Sequence, residues 1–135
     1  MGAPAGRPVP LVLALGLALV ACQRPQPAAR LQLTDRVVGS GAEAAPGRTI
    51  VMHYRGRLVD GRAFDSSHDR GRPIEFVLGQ KMVIPGWEQG VKGMRAGGQR
   101  TLVVPPALAY GAAGQGTAVP PNATLIFDLE LVQVR

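Results

Sequence analysis

Apolar residues recur at every second position over two long stretches of this chain, and no other feature restricts the fold as much. In RTIVMHYRGRL, Ile50, Met52 and Tyr54 share one face, while Thr49, Val51, His53 and Arg55 share the other. In LIFDLEL, Leu125, Phe127, Leu129 and Leu131 stand opposite Ile126, Asp128 and Glu130. A period of two is the signature of a strand with one buried face. QRTLVVP (99–105), IEFVLG (74–79) and LQLTDRVVG (31–39) are shorter candidates, and DGR at 60–62, GRP at 71–73 and AGGQ at 96–99 supply turns between strands.

One segment departs from the alternation. Trp87, Val91 and Met94 are spaced four and three apart, with Glu88, Gln89, Lys92 and Arg95 at the other positions. That spacing predicts a helix of two to three turns from Trp87, with one face laid on a sheet. Gly90 and Gly93 would each cost it about 0.8–1 kcal/mol relative to alanine, so tertiary packing has to hold it. The economical architecture is α+β, a twisted antiparallel sheet wrapped around one short helix. The segment VIPGW (83–87) then raises a question, because Pro-Gly marks a turn and the only tryptophan follows it directly. At the start of the helix an indole can plug the gap between sheet and helix, or it can floor a cleft left by the surrounding loops.

The first residues bear on address. Arg7 precedes an apolar run from Val9 to Ala21, too short for a comfortable membrane span and suited to a secretory signal. The run ends in LVAC, the pattern of a bacterial lipobox. The expected organisation is a lipoprotein signal peptide at 1–21 cut before Cys22, a tether at 22–30, and one folded domain at 31–135. An ordinary signal peptide or an N-terminal anchor helix is the alternative. Lipid on the sulfur and amine of Cys22 would anchor the chain stably, since each buried methylene contributes about 0.8 kcal/mol and more than one acyl chain is attached. Gln23 lacks the aspartate that can retain a lipoprotein at an inner membrane. The expected location is therefore the cell envelope, facing the periplasm, with the outer membrane preferred. Cys22 is the only cysteine, so no internal disulfide is possible.

The formal net charge is +6, but the basic residues of RGRLVDGRAFDSSHDRGRP are interleaved with Asp60, Asp65 and Asp69. They form no stripe with exposed rings, which argues against nucleic acid as a partner. His53 and His68 lack metal-ligand spacing and a cysteine partner. Ser66 and Ser67 have no histidine–carboxylate signature beside them. GAAGQG lacks the Lys-Ser/Thr of a phosphate loop and reads as a flexible lip.

VMHYRGRLVDGRAFDSS, VIPGWEQGVKGMRAGGQR, PPALAYGAAG and VPPNATLIFDLELV stand in the order and spacing of the FKBP-type peptidyl-prolyl cis-trans isomerases. The chain resembles that family from about Gly47 to Val132. The resemblance implies a five- to six-stranded antiparallel half-barrel around a short helix. It also implies a proline pocket walled by Tyr54, Phe64 and Phe127, floored by Trp87, and closed by Val83, Ile84 and Tyr110. Tyr110 would donate its hydroxyl, and Ile84 its N–H, to substrate carbonyls, while Asp65 would lie beside the reacting amide. Catalysis would then fall to Asp65, Tyr110, Trp87, Phe127 and Tyr54. Ile74 at the pocket edge and Val119 on the lip complete the binding set. Phe76 is left to packing.

No cofactor or metal is implied, and the expected partners are X-Pro segments of folding proteins together with macrolides such as tacrolimus and rapamycin. Three positions depart from the family pattern: Ile74 stands where an aromatic is frequent, Gln115 where a histidine is, and Ala118 where a larger aliphatic is. Weaker macrolide binding is expected from them. The chain lacks the long charged N-terminal helix of the dimerising branch, so a monomer is expected. The competing function is a non-catalytic immunophilin module that holds proline segments or a partner.

Overall fold

The structure, a computed structural model, describes Gly2 and residues 30–135. Cys22, the rest of the tether to Ala29, and the signal segment apart from Gly2 lie outside the described residues. Among those described, no helix is long and apolar enough to cross a membrane.

Six strands form one antiparallel sheet: β1 (Gln32–Val37), β2 (Thr49–Leu58), β3 (Ala63–Ser66), β4 (Ile74–Val77), β5 (Gln99–Val104) and β6 (Leu125–Val134). The helix α1 (Pro85–Gly90) lies between β4 and β5 in the chain, and a 3-10 turn, Pro106–Leu108, follows β5. Strand order is β1-β5-β6-β2-β3, with β4 also on β2. β2 is the hub. β6 pairs with it from Ile50↔Val134 to Leu58↔Leu125. Its other edge is shared in succession, β4 taking residues 49–52 and β3 residues 55–57.

The alternation places the core as expected. Ile50, Met52 and Tyr54 of β2 are buried with Leu125, Phe127, Leu129 and Leu131 of β6, and Phe76 is buried with them. Val51, expected on the open face, is buried too, at the point where the β2–β6 register shifts.

The helix is shorter than its apolar spacing predicts and begins earlier. Pro85 starts it, since a proline needs no N–H partner in the first turn. Gly93 then turns the chain in the left-handed region at φ 85, so Met94 reaches the core through a turn and not a further helical turn. The buried Arg100 supports this early end, donating from Nη1 to the carbonyls of Gly90 at 2.8 Å and Lys92 at 3.2 Å while its Nε holds Asp35 at 2.6 Å. The glycines of α1 allow close docking. A Cβ at Gly86 would stand 2.4 Å from Val104 Cγ1, and one at Gly90 2.6 Å from Leu102 Cδ1. The docking sets Trp87 against Tyr54 of β2 and Phe127 of β6.

Candidate active site

Rings from four strands converge with that of Trp87 on α1. Trp87 is edge-on to Tyr54 of β2 at 4.8 Å between centroids and to Phe127 of β6 at 5.1 Å, and tilted against Phe76 of β4 at 6.1 Å. Phe64 of β3 meets Phe127 edge-on at 5.6 Å. Such edge-to-face contacts contribute about 0.5–1.5 kcal/mol each beyond area burial. Packing alone fixes the indole, since its Nε1 has no hydrogen-bond partner among the described residues.

Strand register explains the convergence. Gly56 stands opposite Phe127 on one side and Asp65 on the other. Having no side chain, it lets Phe64 and Phe127 close over the strand. Above the rings lies an open cavity of about 430 Å³, lined by Tyr54, Phe64, Asp65, Ile74, Met82, Val83, Ile84, Trp87, Tyr110 and Phe127. Volumes of 300–1,000 Å³ with few polar groups are typical of small-ligand sites.

Nine of the residues expected in the pocket therefore line one cavity. Val119 does not. It is fully buried and pairs with Gln115 through N–H···O bonds of 2.9 and 3.1 Å, which turns its side chain inward. That pairing, with Asn122 N–H on Gly111 O at 2.8 Å, makes the lip a hydrogen-bonded turn. Met82 joins the lining without having been expected from sequence.

The polar side of the cavity is one network. The Tyr54 hydroxyl donates to Asp65 Oδ2, Arg70 Nη1 donates to Asp65 Oδ1 at 2.9 Å, and Arg70 Nη2 donates to the Tyr54 oxygen. The guanidinium also lies 5.5 Å from the Tyr54 ring centre. Both carboxylate oxygens of Asp65 are thus engaged, which fixes it beside the apolar floor. Arg70 was not anticipated; it returns to Asp65 through the turn of residues 67–71, where Gly71 has φ 71. Behind the network, the fully buried Ser67 hydroxyl accepts the Tyr54 N–H at 2.8 Å and lies 3.2 Å from the Tyr54 carbonyl. This serine clamps the strand backbone. His53, 2.9 Å from the same hydroxyl, stacks on His68 at 4.3 Å.

Burial, and then the hydrogen bond to Asp65, push the Tyr54 phenol from 10.0 up to about 12, against the opposing pull of Arg70. Burial, followed by the charge of Asp65, raises Tyr110 as well. Both hydroxyls stay protonated and able to donate through neutral pH. The folded state holds the Tyr54 proton more tightly than the unfolded chain, so the stability it confers is complete below pH 10 and falls as pH rises towards 12. The slope from this one proton is at most about 1.4 kcal/mol per pH unit between the two values, and solvent screening of the half-open site lowers it. In denaturant titrations at pH 9, 10 and 11, Tyr54→Phe should lose less stability with rising pH than wild type; equal slopes would contradict the shift.

An open antiparallel sheet thus carries a ring-floored cavity with polar groups on one side, suited in shape and polarity to a small apolar ring. Comparison with known proteins agrees. The profile of the FKBP-type peptidyl-prolyl cis-trans isomerases matches residues 41–132. An FK506-binding protein of Neisseria meningitidis serogroup A is 47% identical over 104 residues, covering 77% of this chain and 95% of that protein. FK506-binding protein 2 of Yarrowia lipolytica is 53% identical over 92 residues, which span 68% of this chain and 64% of the yeast protein. Among solved structures, AtFKBP13 superposes with a TM-score of 0.73 at 43% identity, over 78% of this chain and 93% of that one. FkpA from Escherichia coli gives 0.72 at 45% identity, over 78% of this chain and 48% of that one. The chain belongs to the FKBP-type peptidyl-prolyl cis-trans isomerase family.

Proposed function

We propose that this domain accelerates cis-trans rotation about X-Pro bonds in proteins of the cell envelope, the prolyl ring resting on Trp87. The observation that carries the reading is the cavity itself, in which the indole, Tyr54, Phe64 and Phe127 surround an open space of about 430 Å³, with room for a prolyl ring and its flanking peptide groups.

The reaction turns one C–N bond whose resonance barrier is about 18–20 kcal/mol. No bond between heavy atoms is made or broken, so the site needs only to bind the twisted amide better than the planar one. At the twisted state the carbonyl loses charge separation, so the planar form is the more polar species and the one an apolar enclosure disfavours. Wedging the ring on Trp87 while Tyr110 and the Ile84 N–H hold carbonyls fixes the two ends between which rotation occurs. Asp65, engaged through both oxygens by Tyr54 and Arg70, acts by its charge at the amide and not by taking a proton. A thousandfold acceleration requires about 4 kcal/mol of differential binding.

A protease-coupled assay on a Leu-Pro peptide tests the reading. The slow phase should shorten in proportion to added protein, and rapamycin should reverse the effect by competing for the cavity. The smaller Ile74 and Ala118 reduce its grip, so inhibition should need more drug than in relatives with an aromatic and a larger aliphatic there. An unchanged slow phase would favour the holding module.

The same reading includes lipidation at Cys22, a 22–30 tether and attachment of a monomer to the periplasmic side of the envelope, supported by the LVAC pattern and the lone cysteine. Labelled palmitate should enter the wild-type protein in bacterial cells and not the Cys22→Ser variant. Label in both would overturn the anchor.

A further inference from the structure

The cavity has two unlike edges. Tyr54, Trp87 and Phe127 hold one another in edge-to-face contact, so the floor presents a fixed shape. Met82, by contrast, lines the same cavity while remaining 57% exposed. Two local features aim it there. Lys81 takes the left-handed backbone conformation at φ 56, which a non-glycine residue adopts rarely and at some cost. The Met82 sulfur then accepts the Val77 N–H at 3.4 Å, tying the thioether to the end of β4, the strand that carries Ile74. An unbranched thioether chain can also remould itself around partners of different shape.

On the isomerase reading the X-Pro amide lies beside Asp65 and Tyr110, so the chain preceding the proline leaves over that edge. The chain following the proline leaves by the opposite one, past Val83 and Ile84. Met82 immediately precedes these two residues. We propose that Met82, with Ile74, receives the side chain of the residue following the proline and gives the enzyme a preference for large apolar residues at that position. This inference rests on the isomerase reading, and the experiment separates the two.

Cis-trans exchange is measured by NMR on the peptides Ala-Leu-Pro-Phe and Ala-Leu-Pro-Ser, and on Ala-Ala-Pro-Phe, with the full chain as wild type, Met82→Gln and Met82→Leu. Wild type should favour phenylalanine over serine after the proline. Met82→Gln should lower that ratio about three- to fivefold, the loss expected for roughly one methylene's worth of apolar contact, and Met82→Leu should restore it. The Leu-Pro to Ala-Pro ratio, which reports the residue before the proline, should stay constant across the three proteins. A Phe-to-Ser ratio equal in wild type and Met82→Gln overturns the assignment, as does a change confined to the Leu-Pro to Ala-Pro ratio. Failure of wild type to speed any of the peptides would overturn the isomerase reading, and this inference with it.

Discussion

Replacing Trp87 by alanine should lower kcat/KM on an X-Pro peptide on the order of a hundredfold, equivalent to about 3 kcal/mol of lost transition-state stabilisation. The indole is 5% exposed, lines the cavity, and is braced by Tyr54, Phe76 and Phe127. Its removal therefore takes away both the surface on which a prolyl ring rests and a part of the core. Large-to-small substitution of a buried tryptophan costs about 3–5 kcal/mol of stability, so a drop in activity could reflect unfolding alone. Trp87→Leu separates the effects. Leucine fills more of the space and should leave a folded protein by circular dichroism, yet supplies no flat floor. Its turnover should fall nearly as far as that of the alanine variant. A folded Trp87→Leu protein with wild-type kcat/KM would remove the indole from the mechanism.

The second large effect is expected from a residue with no side chain. A Cβ on Gly56 would stand 2.6 Å from Phe64 Cζ and 2.9 Å from Phe127 Cε1, both too close without movement. Phe127 cannot retreat, being 2% exposed and bracketed by Trp87 and Tyr54. Phe64 is only partly buried and can swing outward, which unmakes one wall of the cavity. Gly56→Val should therefore lower stability by about 1–3 kcal/mol, as overpacking does. Turnover should fall on the order of tenfold or more, since a near-attack geometry tolerates little displacement. Gly56→Ala should lie between wild type and valine in both measurements. If the valine variant matched wild type in denaturant midpoint and turnover, the close approach of the two rings would not matter.

Much of this was legible in the residues, and the failures have physical reasons. The long strands β2 and β6 each bury one face against the same core, so strict alternation had to appear in them; it placed Tyr54 and Phe127 on one side of the sheet. β3 escaped detection because it has four residues, AFDS, too few to show a period. The helix was displaced because Val91 and Met94 continue the apolar spacing beyond its end, and the buried carbonyl partners supplied by Arg100 leave no mark in a local window. Nine of the ten residues named from motif spacing line one cavity and Val119 does not, because the pairing of Gln115 with Val119 that turns it inward is a property of the folded lip. Arg70 and Met82 were missed for a shared reason. Arg70 comes to Asp65, and Met82 to the cavity, through a backbone reversal, near Gly71 for one and at Lys81 for the other, and no pattern of side chains announces it.

The most direct measurement is an intermolecular NOE experiment on the protein with a proline-containing peptide in rapid exchange. Ring protons of the proline should show contacts to the Trp87 indole and to Phe127, and rapamycin should abolish them. Contacts confined to the outer face of the sheet around His53 and Glu130, or peptide exchange that is catalysed while no proline–indole contact exists, would place the chemistry somewhere other than the ring-floored cavity.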